Sequence, residues 1–475
     1  MAAALVIVTA LATVARGNSV SSPAASSRQT VAATSDPTPP PIRHVFIIVL
    51  ENESASTAFA KNSPAPYLAR TLRSEGAYLP KYYGIGHESN DNYIAMISGQ
   101  PPNPENQADC QFYRDFPLAL TGQYGAQEES GCIYPPDIET IGGQLGAAHH
   151  TWRSYNEDMG NTPSREAKRC GHPAVNSVDK TQTATAEDQY TTRHDPFVYF
   201  HSIIENTTLC DTHVVNLKLL PQNLKRAAGT PNYVFITPNL CHDGHDSPCK
   251  DGEPGGLTSA NGFLKKWVPR ITHSAAFRQQ NGLLIISFDE AAISDASSCC
   301  GEIAGPMTSE PGVIGPGGGD VGAVLLSPCI KPGTVTRQPY NHYTMLRSVE
   351  DIFHLGHLGY AQLPGERTFG SDVFTRKCNR RPSVSVSAPR RVKAGSTGSA
   401  GFRVRWHSRS PGATYTVQER TSGTERWRTL RRHASGHRLR FRGEAGHTYD
   451  FRVRATSGVG IRGRWRARAV HVVRG

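Results

Sequence analysis

The sequence predicts an α/β protein, with a doubly wound, mostly parallel sheet carrying helices on both faces and a small all-β sandwich behind it. Three observations lead there. Apolar runs without alternation recur at Val45–Leu50 (VFIIVL), Tyr233–Thr237 (YVFIT), Leu283–Phe288 (LLIISF) and Val321–Ser327 (VGAVLLS), as expected of strands buried on both faces. Helical patterns separate them, over Tyr67–Glu75 closed by Gly76, Asn261–Gln279 and His342–Leu355. Past Cys378 the pattern changes to period-two segments, Gly401–Trp406, Thr414–Gln418, Leu439–Arg442 and Thr448–Ala455, which suit a half-buried antiparallel sandwich.

Composition narrows the class. With 475 residues, 37% of them hydrophobic and 19% charged, the chain is neither a coiled coil nor wholly disordered, and it divides into more than one domain. Past the N-terminus no apolar run of about 20 residues marks a membrane span. The net charge of +11 is unevenly spread: residues 379–475 carry 23 Lys and Arg against 4 Asp and Glu, so everything before them is net negative. The basic character belongs to the C-terminal part, which suits retention on an anionic membrane or cell-wall surface, or a basic spacer; nothing points to specific nucleic-acid binding.

Residues 1–17 read as a signal peptide whose missing Lys or Arg points to a truncated start, and 18–41 as a disordered Ser/Thr/Ala/Pro linker. Ten cysteines without a CxxC pair favour disulfides over zinc, with Cys241 and Cys249 placed to close a short loop. Together these point to a secreted protein.

The apolar runs share an ending. Glu51 and Asn52 follow the first strand, Asp243, His245 and Asp246 lie shortly after the second, Asp289 and Glu290 follow the third, and the fourth leads on to Tyr340-Asn341-His342. In an open α/β sheet, ligands bind outside the carboxyl ends of the strands. Glu51, Asn52, Asp289 and Glu290 packed together repel one another unless a cation sits among them, and an all-oxygen set suits a hard divalent ion of the Mg²⁺, Ca²⁺ or Mn²⁺ class. Ser89, in Gly86-His87-Glu88-Ser89-Asn90-Asp91-Asn92-Tyr93, falls at a turn before a short helix, where an anion meets backbone N–H groups; Asn92 is spaced to donate to an oxyanion. A bound cation activates such a hydroxyl without a histidine partner.

At these residues the chain resembles the phosphoesterase family of bacterial and fungal acid phosphatases and phospholipases C, within the alkaline-phosphatase-like superfamily. The resemblance runs from about Arg43 to Arg376, over His44 to Ser54, the His87-x-Ser89-x-x-Asn92-Tyr93 turn, Arg193 to Phe197, Phe235 to Asp246, Phe288 to Ala291 and Asn341-His342-Tyr343. It implies a metal on Glu51, Asn52, Asp289 and Glu290, a phosphoseryl intermediate on Ser89, and Asn92 on a non-bridging oxygen. His87, His194 and Asp243 are candidate substrate contacts, and His245 and His342 candidate proton donors; the residues alone leave the acid open among His194, His245 and His342. Glu53-Ser54-Ala55 replaces the Arg-Ser-Phe-Asp usual in phospholipases C, which favours a phosphomonoesterase, with phospholipase C and an inactive adhesion or polymer-binding protein as alternatives.

The expected boundaries are a catalytic domain over 42–378 and a basic domain over 383–473, the latter resembling fibronectin type III through Trp406 and the Tyr449-x-Phe451-x-Val453-x-Ala455 strand. His149, His150 and His172 read as structural, and Gly315–Gly319 lacks the Lys and Ser/Thr of a phosphate-binding P-loop.

Overall fold

The computed structural model describes residues 38–378, 381–410, 412–458 and 460–475; the leader and all but the last four residues of the linker lie outside them. Eight strands make one sheet: β1 (Val45–Leu50), β2 (Ala77–Leu79), β3 (Trp152–Asn156), β4 (Val214–Asn216), β5 (Tyr233–Thr237), β6 (Leu283–Phe288), β7 (Ala323–Leu326) and β8 (Thr334–Val335), in the order β8-β2-β7-β6-β1-β5-β3-β4. All neighbours run parallel except at β7, which is antiparallel to both β2 and β6. Every residue of β1, β5 and β6 is buried, so both sheet faces are covered, as continuous Val/Ile/Leu/Phe runs require.

The reversal of β7 corrects one expectation. Its carboxyl end faces away from the ends of β1, β5 and β6, so it cannot deliver Tyr340-Asn341-His342 to them directly. The chain returns through Tyr340–Asn341, paired in parallel with Tyr82–Tyr83.

The three longest helices among the described residues are α1 (Ser89–Ser98), α2 (Gly256–Thr272) and α3 (His342–Phe353). The single helix expected over 261–279 is two, because Ser274 caps a new one over Ala275–Gln279 by accepting from the Phe277 N–H at 3.2 Å. Asn341 caps α3 in the same way, through the Thr344 N–H at 2.8 Å. Gly76 ends the helix before β2, where a Cβ would lie 2.2 Å from the Leu325 carbonyl oxygen. The ten cysteines form five disulfides, Cys110–Cys132, Cys170–Cys210, Cys241–Cys249, Cys299–Cys300 and Cys329–Cys378. Among the described residues, no helix is long and apolar enough to cross a membrane.

The C-terminal strands are β9 (Ser385–Ser387), β10 (Arg391–Lys393), β11 (Ser399–His407), β12 (Thr414–Thr421), β13 (Arg428–Ala434), β14 (Arg438–Glu444), β15 (Thr448–Thr456) and β16 (Arg466–Val473). They form two sheets, β9-β11-β14 and β10-β16-β15-β12-β13. Alternation decides what is inside: Phe402, Val404 and Trp406 of β11 are buried while Arg403 and Arg405 between them are exposed. Phe402 meets Phe451 from the other sheet edge-on, with ring centres 5.8 Å apart, in an apolar core separate from that of the large sheet.

Glu350 of α3 gives a test of the packing. It is fully buried, it accepts from the Leu358 N–H at 2.8 Å, and burial pushes its pKa up to about 9. An acid whose pKa is higher folded than unfolded stabilises fully below its unfolded value and loses that contribution as pH rises through the folded one. Glu350→Gln keeps the acceptor and cannot ionise, so its melting temperature should gain on wild type steadily between about pH 5 and 9; parallel pH dependences in a calorimetric series would contradict this.

Candidate active site

In the register of β1 and β6, Leu50 stands opposite Phe288, so the next residues along each chain, Glu51 and Asp289, emerge side by side. Asp243 joins them from the loop after β5, its carbonyl accepting from the Glu51 N–H at 2.9 Å. All three carboxyls are fully buried. Ser89, the first residue of α1, donates its hydroxyl to Glu51 Oε2 at 2.8 Å, and Tyr93, one turn on, donates to Oε1. The imidazole of His194 lies between the acids, with Nε2 3.4 Å from Glu51 Oε2 and Nδ1 3.3 Å from Asp243 Oδ2, and it stacks on the Tyr93 ring at 5.1 Å.

The electrostatics follow from crowding negative charge out of reach of water. Burial, then the charges of Asp289 and Asp243, holds the Glu51 pKa well above the ordinary carboxyl range. Burial raises Asp289 as well and brings Asp243 up to about 7. His194 goes the other way, held neutral by burial and by the nearby charges of Arg193 and His245. His194 Nδ1 and Nε2, Asp243 Oδ2 and Asp289 Oδ2 are all buried without a hydrogen-bond partner. Such atoms are costly unless something binds them, and Glu51, His194 and Asp243 offer ligand atoms within 4.8 Å of one another. These residues therefore fit a divalent cation.

The set differs from the one expected. Glu51 and Asp289 come together, but Asn52 is exposed and is tied in through its backbone N–H, which donates to Asp289 Oδ1 at 3.0 Å. Glu290 pairs instead with His87, Nδ1 to Oε2 at 2.6 Å. Sequence order cannot show that adjacent residues after a strand point to different neighbours, whereas His194 and Asp243, expected on the substrate, reach the acids through loops.

The surroundings of Ser89 also differ. Glu88 precedes it with φ 86°, a conformation that costs a non-glycine residue about 1–3 kcal/mol and turns the chain sharply into α1. The amide of Asn92 is fully engaged in holding that turn: Oδ1 accepts from the Ile85 N–H, and Nδ2 donates to the carbonyls of Gly86 and Glu88 and to Asp91 Oδ1. In this structure the Asn92 amide, expected to donate to an oxyanion, is occupied in holding the turn. The helix start is occupied too, because the Asp109 carboxylate accepts from the N–H groups of Ser89 and Asn90 and pairs with Arg193 Nε at 3.3 Å.

The histidines separate by contact. His342, fully buried, is 2.6 Å from the Asp289 carbonyl at Nε2 and 3.2 Å from the Tyr82 hydroxyl at Nδ1, and burial brings its pKa down to about 4. Both nitrogens have partners and the ring is shut off from solvent, so in this structure it braces Asp289. His87 has both nitrogens engaged as well, with Glu290 and the Asp295 carbonyl. His245 alone of the four keeps substantial exposure, 33% of its side chain. Burial disfavours its charged form, but the Asp246 hydrogen bond and the Asp243 charge outweigh burial and hold its pKa above the ordinary value. Sequence reasoning gave no role to Tyr93, Asp109 or Arg193, although Tyr93 and Arg193 lie inside the motifs; Asp109 carries no motif signal at all.

The family model of the phosphoesterase family matches residues 58–356, more than half of the chain. The chain belongs to the phosphoesterase family. This phosphoesterase is accordingly a hydrolase acting on phosphoric esters. It is 24% identical over 322 residues to the phosphatidylinositol-3-phosphatase of Mycobacterium tuberculosis, a match covering 68% of this chain and 80% of that one. It is 23% identical over 338 residues to a probable acid phosphatase of Kluyveromyces lactis, covering 71% and 64%, and 23% identical over 219 residues to the phosphate-repressible acid phosphatase of Penicillium chrysogenum, covering 46% and 42%. The matched stretch thus spans less than two thirds of the two fungal relatives.

Asn92→Ala removes the side chain that ties Gly86, Glu88 and Asp91 together, and should cost about 2–4 kcal/mol of stability, since several buried groups lose partners at once. Chemical denaturation measures this directly. A variant as stable as wild type would mean that the turn holds itself.

Proposed function

We propose that this phosphoesterase is a metal-dependent, acid-phosphatase-like phosphomonoesterase acting through a phosphoseryl intermediate on Ser89. The observation that carries the reading is the Ser89 hydroxyl, donated at 2.8 Å to a buried glutamate within a cluster of unpartnered acid and imidazole atoms. In this reading Glu51, Asp289, Asp243 and His194 hold the cation. When bound, it supplies the positive charge that lets these acids ionise and stabilises the Ser89 alkoxide. The neutral imidazole makes the donor set mixed nitrogen and oxygen, which favours a borderline ion such as Fe²⁺ or Zn²⁺ over Ca²⁺ or Mg²⁺ and revises the all-oxygen expectation.

The chain's own groups then divide the work. Glu51 Oε2 takes the Ser89 proton as Oγ bonds to phosphorus and the bond to the leaving oxygen breaks. His245 gives that oxygen its proton, because among His87, His194, His245 and His342 it combines exposure with a raised pKa. Arg193, with Nη2 3.4 Å from His245 Nε2, stands where a non-bridging phosphoryl oxygen needs a donor. Water then gives a proton to His245 as its oxygen bonds to phosphorus and the Oγ–P bond breaks, and Glu51 returns its proton to Ser89 Oγ as phosphate is released. The names of all three relatives are those of phosphatases, which supports a phosphomonoester over a phospholipase C substrate. Five disulfides support an exported protein, and two separate apolar cores support a catalytic part over 42–378 and a fibronectin-type-III-like part over 383–473.

Ser89→Ala should fold normally and lose several orders of magnitude in turnover of a soluble phosphomonoester. Retention of more than about a tenth of the wild-type rate, which is about 1.4 kcal/mol of barrier, would point to another nucleophile. Exhaustive chelation should abolish turnover, with Zn²⁺ or Fe²⁺ restoring more of it than Ca²⁺; full activity after chelation would overturn the metal-dependent reading.

A further inference from the structure

A cavity of about 680 Å³ lies where the five-stranded C-terminal sheet meets Gln279 and Gln280. Arg381, Arg432, Arg454 and Arg462 line it, with His433 beside them, and among the described residues its lining contains no Asp or Glu. The acids of this sheet are engaged elsewhere: Asp450 pairs with Arg420 at 3.1 Å and Glu419 with Arg428 at 2.5 Å. Arg454 is held with its guanidinium 4.6 Å over the Trp465 ring, and its Nε is buried without a hydrogen-bond partner. Trp465 in turn belongs to a stack in which Arg420, Trp427, Arg452, Trp465 and Arg454 alternate at 4.1–4.7 Å. The stack fixes Arg454 in place instead of leaving it to sweep through solvent. Crowding leaves its mark, since burial and the charge of Arg462 lower the Arg454 pKa.

Like charges gathered around a concave site, with no acid among the lining, describe half of an ion pair. Gln279 helps to close the cavity, because Gly460, at φ 89°, approaches so near that a Cβ would lie 2.9 Å from its Nε2. Gln280 accepts from His44 at 3.0 Å just ahead of β1. The cavity therefore lies toward the amino-terminal ends of β1 and β6, a strand's length of about 20 Å from the acids at the carboxyl ends.

We propose that this cavity binds a small anionic ligand carrying two phosphate groups, at a site separate from Ser89. The count follows from charge: each phosphate carries about −1.5 to −2 at pH 7, so two of them balance four guanidinium groups. Arg presents paired N–H donors that match phosphate oxygens, and the hydroxyls of Thr416 and Thr429 line the same cavity as neutral partners for the scaffold that joins the phosphates. This site does not depend on the catalytic reading.

The test is calorimetric titration of the full chain with methylenebisphosphonate, which resists hydrolysis, and separately with orthophosphate. Saturable bisphosphonate binding should be tighter than orthophosphate binding and should weaken at least about tenfold in Arg432→Gln/Arg462→Gln, whose two side chains are exposed and dispensable for the core. Arg403→Gln/Arg405→Gln, which removes equal charge from the other sheet, should bind as wild type does, and Arg462→Lys should fall between. Turnover of a soluble phosphomonoester should be the same in all these variants, and Ser89→Ala should bind the bisphosphonate normally. The proposal falls if Arg432→Gln/Arg462→Gln leaves bisphosphonate binding unchanged, if Arg403→Gln/Arg405→Gln weakens it equally, or if the wild type shows no saturable binding. Because binding and turnover are read separately, failure here leaves the role of Ser89 untouched, and failure there leaves this site intact.

Discussion

Burying three carboxyl groups within reach of one another is the constraint on which the rest of the catalytic part depends. Glu51, Asp243 and Asp289 stand at or just beyond the ends of three adjacent strands, where the sheet stops supplying main-chain partners and water does not reach. An isolated buried carboxylate is too costly to keep, so each must be protonated, hydrogen-bonded or matched by positive charge. The structure meets part of the demand with protein groups: the hydroxyls of Ser89 and Tyr93 on Glu51, and the Asn52 N–H on Asp289. The unmet demand of His194, Asp243 and Asp289 is why a cation belongs to the reading of the site.

A second layer holds these groups still. His342 fixes the Asp289 carbonyl from below, Asn92 holds the strained Glu88 turn that presents Ser89, and Asp109 occupies the helix start while tying it to Arg193. Each residue has the chemistry of a catalytic group, and each has a contact here that holds geometry. That division is physically sensible, because a hydroxyl aimed at one carboxylate oxygen loses its use if the backbone beneath it drifts by an ångström.

Charge is segregated along the chain for a related reason. The part that buries acids is net negative and depends on a compact sheet, whereas the C-terminal sandwich is thin enough for every second side chain to face outward, and arginines such as Arg403, Arg405, Arg452 and Arg454 recur among those. Arginines on an open face are simply solvated. Those gathered in the cavity by Gln280 are not, since the Arg–Trp stack and the neighbouring loop hold them together.

The sequence by itself determined the sheet, its buried strands and the polar residues at their ends, because a strand covered on both faces must read as an unbroken apolar run and must stop where polar groups begin. It also determined the alternating sandwich, the local Cys241–Cys249 loop and Ser89 at a helix start. Only the tertiary structure decided which of the polar residues meet. The antiparallel β7, the capping of the helix at Ser274 and the pairing of Glu290 with His87 depend on strand direction and loop path, which leave no periodic trace. So does the recruitment of His194, 143 positions from Glu51, into the acid cluster. Local pattern records what a segment must bury; which side chain faces which, across a hundred residues of chain, is settled by packing.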